Sequence, residues 1–124
     1  MNFTHDQQFV LQYIGLHFCP ESDDKIGEML NRQLEWQRIK SYAIEQGVAP
    51  VMYKQLNRLQ SEFAFPADII NELKSHYLNA FGRNIAVFEE LKRVVSLLSN
   101  AGIDAVVLKR PALIEQVYHD CGVR

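Results

Sequence analysis

This sequence has no apolar run approaching the ~20 residues that a membrane-spanning helix needs. Its first residues, Met1 to Asp6, have neither the basic start nor the apolar centre of a secretory signal. No charge of one sign dominates: the net charge is -2, so nothing points to electrostatic capture of nucleic acid or of an anionic membrane. Cysteine is scarce. Cys19 and Cys121 lie far apart and have no metal-ligand spacing, which fits a pair of cytoplasmic thiols better than a disulfide framework. Internal repeats and low-complexity segments are missing, as are a nucleophile elbow, a glycine-rich phosphate loop and paired cysteine ligands. Glu89 and Glu90 are adjacent, so on a helix they diverge by about 100° and form no acid pair. His119, Asp120 and Cys121 could each bind a metal, but adjacent residues rarely converge on one ion. His5, His17 and His76 stand alone in the sequence. Arg83, Lys92 and Arg93 read as the solvated face of a helix.

What is present is helical periodicity. Hydrophobic residues make up 48% of the chain and charged residues 23%, enough apolar material for one globular core. Thr4 and Gln7 have capping-box spacing and open a helix to Phe18, with Phe9, Val10, Tyr13 and Ile14 on its apolar face. Cys19-Pro20-Glu21-Ser22 breaks it. Ser22, followed by Asp23 and Asp24, starts a second helix, because acidic groups suit the positive end of the helix dipole. A third is predicted from about Glu35 to Gln46, with Trp36, Ile39, Ala43 and Ile44 inward, and Gly47 as its left-handed cap. Pro50 fits the first turn of a fourth, whose buried stripe is Val51, Met52, Leu56 and Leu59.

After Pro66 there is no further proline until Pro111, and between Ala67 and Asn100 only one glycine, Gly82. Ile70, Leu73, Tyr77, Phe81, Ile85, Phe88, Leu91, Val95 and Leu98 recur in steps of three and four. The pattern predicts one amphipathic helix about 50 Å long, the spine of a helical bundle. The stripe from Leu73 to Leu98 is expected to be buried. Gly102 stops it, and Ile103 to Leu108 form a short, nearly continuous apolar run that reads as a strand covered on both faces. A helical pattern follows from Pro111 to Tyr118. The expected architecture is therefore mainly α: a bundle over residues 1–101, then a short strand and helix over 102–124 that open an α/β domain. A lone strand cannot satisfy its own backbone groups, so Ala105, Val106, Val107 and Leu108 are expected to pair with something, and a second copy of the chain is one candidate.

Two stretches, taken together, resemble a known family. One is Trp36 to Leu56, where a helix led by an aromatic residue runs into Gly47-Val48-Ala49-Pro50-Val51-Met52-Tyr53-Lys54-Gln55-Leu56. The other is Ala101-Gly102-Ile103-Asp104-Ala105-Val106-Val107-Leu108-Lys109, continuing through Ala112-Leu113 to Tyr118, Gly122 and Arg124. Between them lie Tyr77, Ala80 and Arg83-Asn84. Their order is similar to the N-terminal part of the uncharacterised bacterial nucleotidyltransferase family, a branch of the polymerase-β-like superfamily. The resemblance implies a helical region ahead of a small mixed sheet. It also implies a Leu-Lys-Gly turn after the first strand, then a Tyr, an Arg and an Asp-x-Asp pair holding the Mg²⁺ that bridges nucleotide phosphates.

The chain departs from that pattern in two ways. Arg110 and Pro111 follow Lys109 where the family has glycine, and no Asp-x-Asp occurs in the 124 residues. The resemblance therefore assigns Lys109, Arg110 and Arg124 to the remnant of a phosphate or nucleotide site, with no catalytic and no metal-ligating residue. Mg²⁺ and a nucleoside triphosphate are expected only of a full-length family member. The sequence reads as a truncated nucleotidyltransferase-like protein, inactive alone. The second reading is a helical assembly module that oligomerises through its C-terminal strand.

Overall fold

A computed structural model describes residues 4–18, 23–30 and 33–123. The chain is mainly helical. Helix α1 spans His5–Phe18, α2 Asp23–Leu30, α3 Trp36–Glu45, α4 Ala49–Leu59, α5 Ala67–Asn100 and α6 Arg110–Leu113, and a π-helical stretch, Ile114–Tyr118, follows directly.

The boundaries follow from local chemistry. The Thr4 amide donates to Gln7 Oε1 at 3.1 Å and the Gln7 amide to Thr4 Oγ1 at 3.3 Å, so the capping box is formed in both directions. Gly47 takes φ +69°. Its amide donates to the Ile44 carbonyl (3.0 Å) and the Val48 amide to the Ala43 carbonyl (2.8 Å), a Schellman end that turns the chain into α4. Pro50 sits in the first turn of α4, where its missing N–H costs nothing. Gly102, with φ +71°, ends α5 through the same pair of bonds, to Ser99 and Leu98. The Ser22 start of α2 and the break at Pro20 lie outside the described residues.

The core gathers Phe9, Val10 and Tyr13 of α1, Ile39 and Ala43 of α3, Met52, Leu56 and Leu59 of α4, and Ile69, Ile70 and Leu73 of α5. An aromatic chain closes one end of it. Phe9 stacks on Tyr13 (4.9 Å between ring centroids), Trp36 meets Phe9 edge-on (5.7 Å), and Phe65 meets Trp36 the same way (5.5 Å). Asp6, nearly buried, accepts a hydrogen bond from the Glu35 amide at 3.3 Å and so ties the start of α1 to the start of α3.

Two expectations are corrected. Residues 105–108 do not form a strand: among the described residues no strand occurs, because nothing lies beside this stretch to complete a ladder. The long stripe is also not uniformly buried. Leu73 is fully buried, but Phe81 and Ile85 are each 41% exposed. Tyr77, Phe88, Leu91, Val95 and Leu98 are half-buried. Among the described residues, helix α5 outruns the helices that cover its first half, and only the segment after Gly102 folds back on the second half. Of the expected core elsewhere, Ile39, Val51, Met52 and Leu56 are buried, while Trp36 and Ile44 are half-buried against it.

Candidate functional site

The π-helical stretch ends at His119, whose left-handed backbone (φ +51°) reverses the chain. Residues 119–123 then return onto the groove between α4 and α5, and the side chains that hold them there come from both helices. The Asp120 carboxylate accepts hydrogen bonds from the Tyr77 hydroxyl (3.0 and 3.3 Å to its two oxygens) and from the Gly122 amide (2.8 Å). It also forms an ion pair with the Lys54 ammonium. Two turns further along α5, Asn84 is 2% exposed and donates from Nδ2 to the Cys121 carbonyl at 2.7 Å. Gly122 lies against the Tyr77 ring so closely that a Cβ would overlap it. Val123 is buried next to it.

Tyr77 itself is held between Tyr53 and Phe81, with ring centroids at 5.3 and 6.3 Å. Burial pushes its phenol up to about 12, and the hydrogen bond to the anionic Asp120 and that charge push the same way. Tyr77 is therefore a proton donor at neutral pH and not a base. For Asp120, burial opposes the charge, but the hydrogen bonds from Lys54, the Gly122 amide and Tyr77 outweigh it and hold the carboxyl below its usual range. Asp120 is a satisfied anion that anchors the turn. Among the described residues, no three His, Cys, Asp or Glu side chains are grouped so that they could hold a metal ion. Cys121 is a free, half-buried thiol, and Cys19 lies outside the described residues.

A cavity of about 420 Å³ adjoins this anchor. The Gly47–Pro50 corner and His76, Arg83, Tyr118 and Val123 line it. Parts of the resemblance thus meet in one place: the Gly47–Lys54 corner, Tyr77 with Ala80 and Arg83-Asn84, and Tyr118 with Gly122, while Ala101 to Lys109 lies apart from it.

The cations assigned from the resemblance lie elsewhere or outside the described residues. Lys109 is exposed at the start of α6 and carries the left-handed backbone (φ +65°). The backbone at Arg110 does not have positive φ and already belongs to α6. The left-handed residue of this turn is Lys109. Pro111 sits in the first turn of α6, the one place in a helix that suits it. Arg124 and the Arg110 side chain lie outside the described residues. Sequence reading missed Lys54, Tyr77, Asn84 and Asp120 as partners. The only available signal was that Tyr77, Asn84 and Gly122 all belong to the resemblance.

A second hollow, about 620 Å³, lies between the second half of α5 and the returning segment, with Phe88, Val95, Val107 and Pro111 as apolar walls and Glu89 and Lys92 at its side.

The bundle carries an exposed Lys-bearing turn and holds the segment that follows α6 against α4 and α5. The sequence profile of the family described as "Uncharacterised nucleotidyltransferase" matches residues 32–124, so the chain belongs to that family. No curated protein and no solved structure matches it.

Proposed function

We propose that this chain is the helical front of a nucleotidyltransferase of the polymerase-β-like kind, of bacterial type, and that it is inactive by itself. The observation that carries this reading is the family match over residues 32–124; residues quoted for the resemblance around Gly47, Tyr77, Asn84 and Gly122 also meet on the α4–α5 groove. In this reading the bundle is a rigid platform. It holds the turn at Lys109 and the segment leading to Arg124 in fixed relation, so that Lys109, Arg110 and Arg124 face the phosphates of a nucleotide. Positive charge alone does not transfer a nucleotidyl group. That step needs carboxylates that hold Mg²⁺ against the phosphates and activate an attacking hydroxyl. The 124 residues contain no Asp-x-Asp. Asp120, the acidic residue nearest the cations in sequence, is committed to Lys54, Tyr77 and Gly122. The carboxylates, the metal and productive triphosphate binding therefore belong to residues outside this chain.

Calorimetric titration with ATP tests the assignment of the cations. Weak binding is expected, dominated by electrostatics and reduced by salt. It should be lost in the Lys109→Ala/Arg110→Ala double variant. Binding unchanged by that double substitution contradicts the reading.

A further inference from the structure

The cavity of about 420 Å³ beside the anchored turn takes its walls from α1, the corner between α3 and α4, α5 and the returning segment. Its size lies within the ~300–1,000 Å³ of small-molecule sites. Ile14, Ile44 and Val48 give it apolar walls. Its polar lining is of one kind: Gln46, His76, Arg83 and Tyr118 can each donate a hydrogen bond, and among the described residues no Asp or Glu lines it. His76, Ala80 and Arg83 are spaced by four and three, so they share one face of α5. Ala80, between the two basic residues, carries no side chain long enough to fill the space. Among the described residues, neither His76 nor Arg83 has an ion-pair partner. Arg83 is exposed and His76 half-buried. The wall at the corner adds two amides. Ala49 and Val51 are 1% and 6% exposed, the first turn of α4 has no carbonyl of its own for them, and among the described residues neither donates to another backbone carbonyl. They add donors to a site that the side chains define.

We propose that this cavity binds a small organic anion: a phosphate or carboxylate head carried on an apolar body. Arg83 supplies a fixed positive charge and a planar fork of donors that suits either head. His76 supplies a further donor, and the apolar walls take the rest of the ligand. The charge selects an anion over a neutral ligand, and without a carboxylate in the lining a cation would find no counter-charge there. The cavity is bounded by this chain's own helices and turn, away from the open stretch at residues 104–108, whose Ala105 to Val107 border the other hollow. The site uses none of Lys109, Arg110 and Arg124, so the failure of the nucleotidyltransferase reading leaves it intact, and the reverse holds.

Nuclear magnetic resonance on the full, isotope-labelled chain tests it, with phenyl phosphate and benzoate as probes and inorganic phosphate as the reference without an apolar body. At least one organic probe should shift the Arg83 Nε signal and the Gly47 and Val48 amides saturably, and the tighter of the two identifies the head group. Inorganic phosphate should bind several-fold more weakly, because it leaves the apolar walls in water. Arg83→Gln should weaken binding of the probe about tenfold or more. Arg83→Lys, which keeps the charge and loses the fork, should fall between. Both substitutions are at an exposed position, and circular dichroism should show unchanged helix content. The Lys109→Ala/Arg110→Ala double variant should bind the probe as wild type does, which separates this site from the one tested with ATP. No saturable shift with either organic probe overturns the proposal. So does binding that Arg83→Gln leaves intact, binding that the Lys109→Ala/Arg110→Ala variant loses, or inorganic phosphate that binds as tightly as both probes.

Discussion

Tyr77 and Asp120 stand 43 positions apart in sequence and share one hydrogen-bonded cluster. Each sets the other's titration. The phenol, ordinarily near 10.0, is raised to about 12. A group whose folded pKa is raised contributes stability that is complete below pH 10 and disappears as pH rises through 12. Asp120 works at the other end of the scale. Its folded pKa is depressed below the unfolded 3.8, so its contribution is present above that value and is lost as pH falls further. Ultraviolet titration should therefore show Tyr77 ionising late. Asp120→Asn should bring that tyrosine back toward the ordinary value, and an unmoved titration would show that Tyr77 is not governed by Asp120. Two neighbours give thermal tests. Asn84→Ala leaves the Cys121 carbonyl without its donor and should cost ~1–3 kcal/mol. Gly122→Ala drives a methyl group into the Tyr77 ring, which its own partners keep from moving aside, and should cost about 1–3 kcal/mol. Wild-type melting in both variants would mean that the turn is not held as described.

Helices are where the sequence was most legible, because their signals are local. Thr4 with Gln7, Gly47, Pro50 and Gly102 each act within one turn of the chain, and each does what its chemistry predicts. Gly47→Val should therefore destabilise by about 1–3 kcal/mol through its left-handed backbone, as read by urea unfolding. Periodicity proved less complete. The three-and-four spacing from Ile70 to Leu98 states that α5 is a helix with an apolar stripe. It does not state how far along the stripe other helices reach. Leu73→Ala should cost ~2–5 kcal/mol, since that side chain is fully buried. Phe81→Ala should cost clearly less, because Phe81 keeps 41% of its surface in water. Equal losses at the two sites would show that α5 is as well covered at Phe81 as at Leu73. The run Ala105 to Leu108 failed as a strand for a related reason: residue type gives β preference, but a strand exists only where a neighbour supplies the other half of its ladder. The Lys54–Asp120 pair was invisible for the simplest reason, since its members are 66 positions apart and neither is unusual locally.

At the scale of the whole molecule, two features point the same way. The turn at residues 119–123 is anchored with care, by an ion pair, a buried amide and a glycine that nothing larger can replace. The surface beyond it, by contrast, is unfinished: Phe81, Ile85, Leu97, Ile103, Val106 and Leu108 present apolar area to water. Under the proposed function, the firm turn holds the segment that leads to Arg124, and the open surface is where the remainder of the unit would dock. No helix among the described residues is long and apolar enough to cross a membrane, so the open surface is not explained by a spanning helix. The most direct test of the account is incorporation of labelled nucleotide from each of the four ribonucleoside triphosphates by the purified 124-residue chain, with Mg²⁺ and without it. The account predicts no incorporation above background under either condition. Turnover that requires Mg²⁺ and is abolished by chelation would show that the carboxylates for catalysis are already within these residues, and would contradict it.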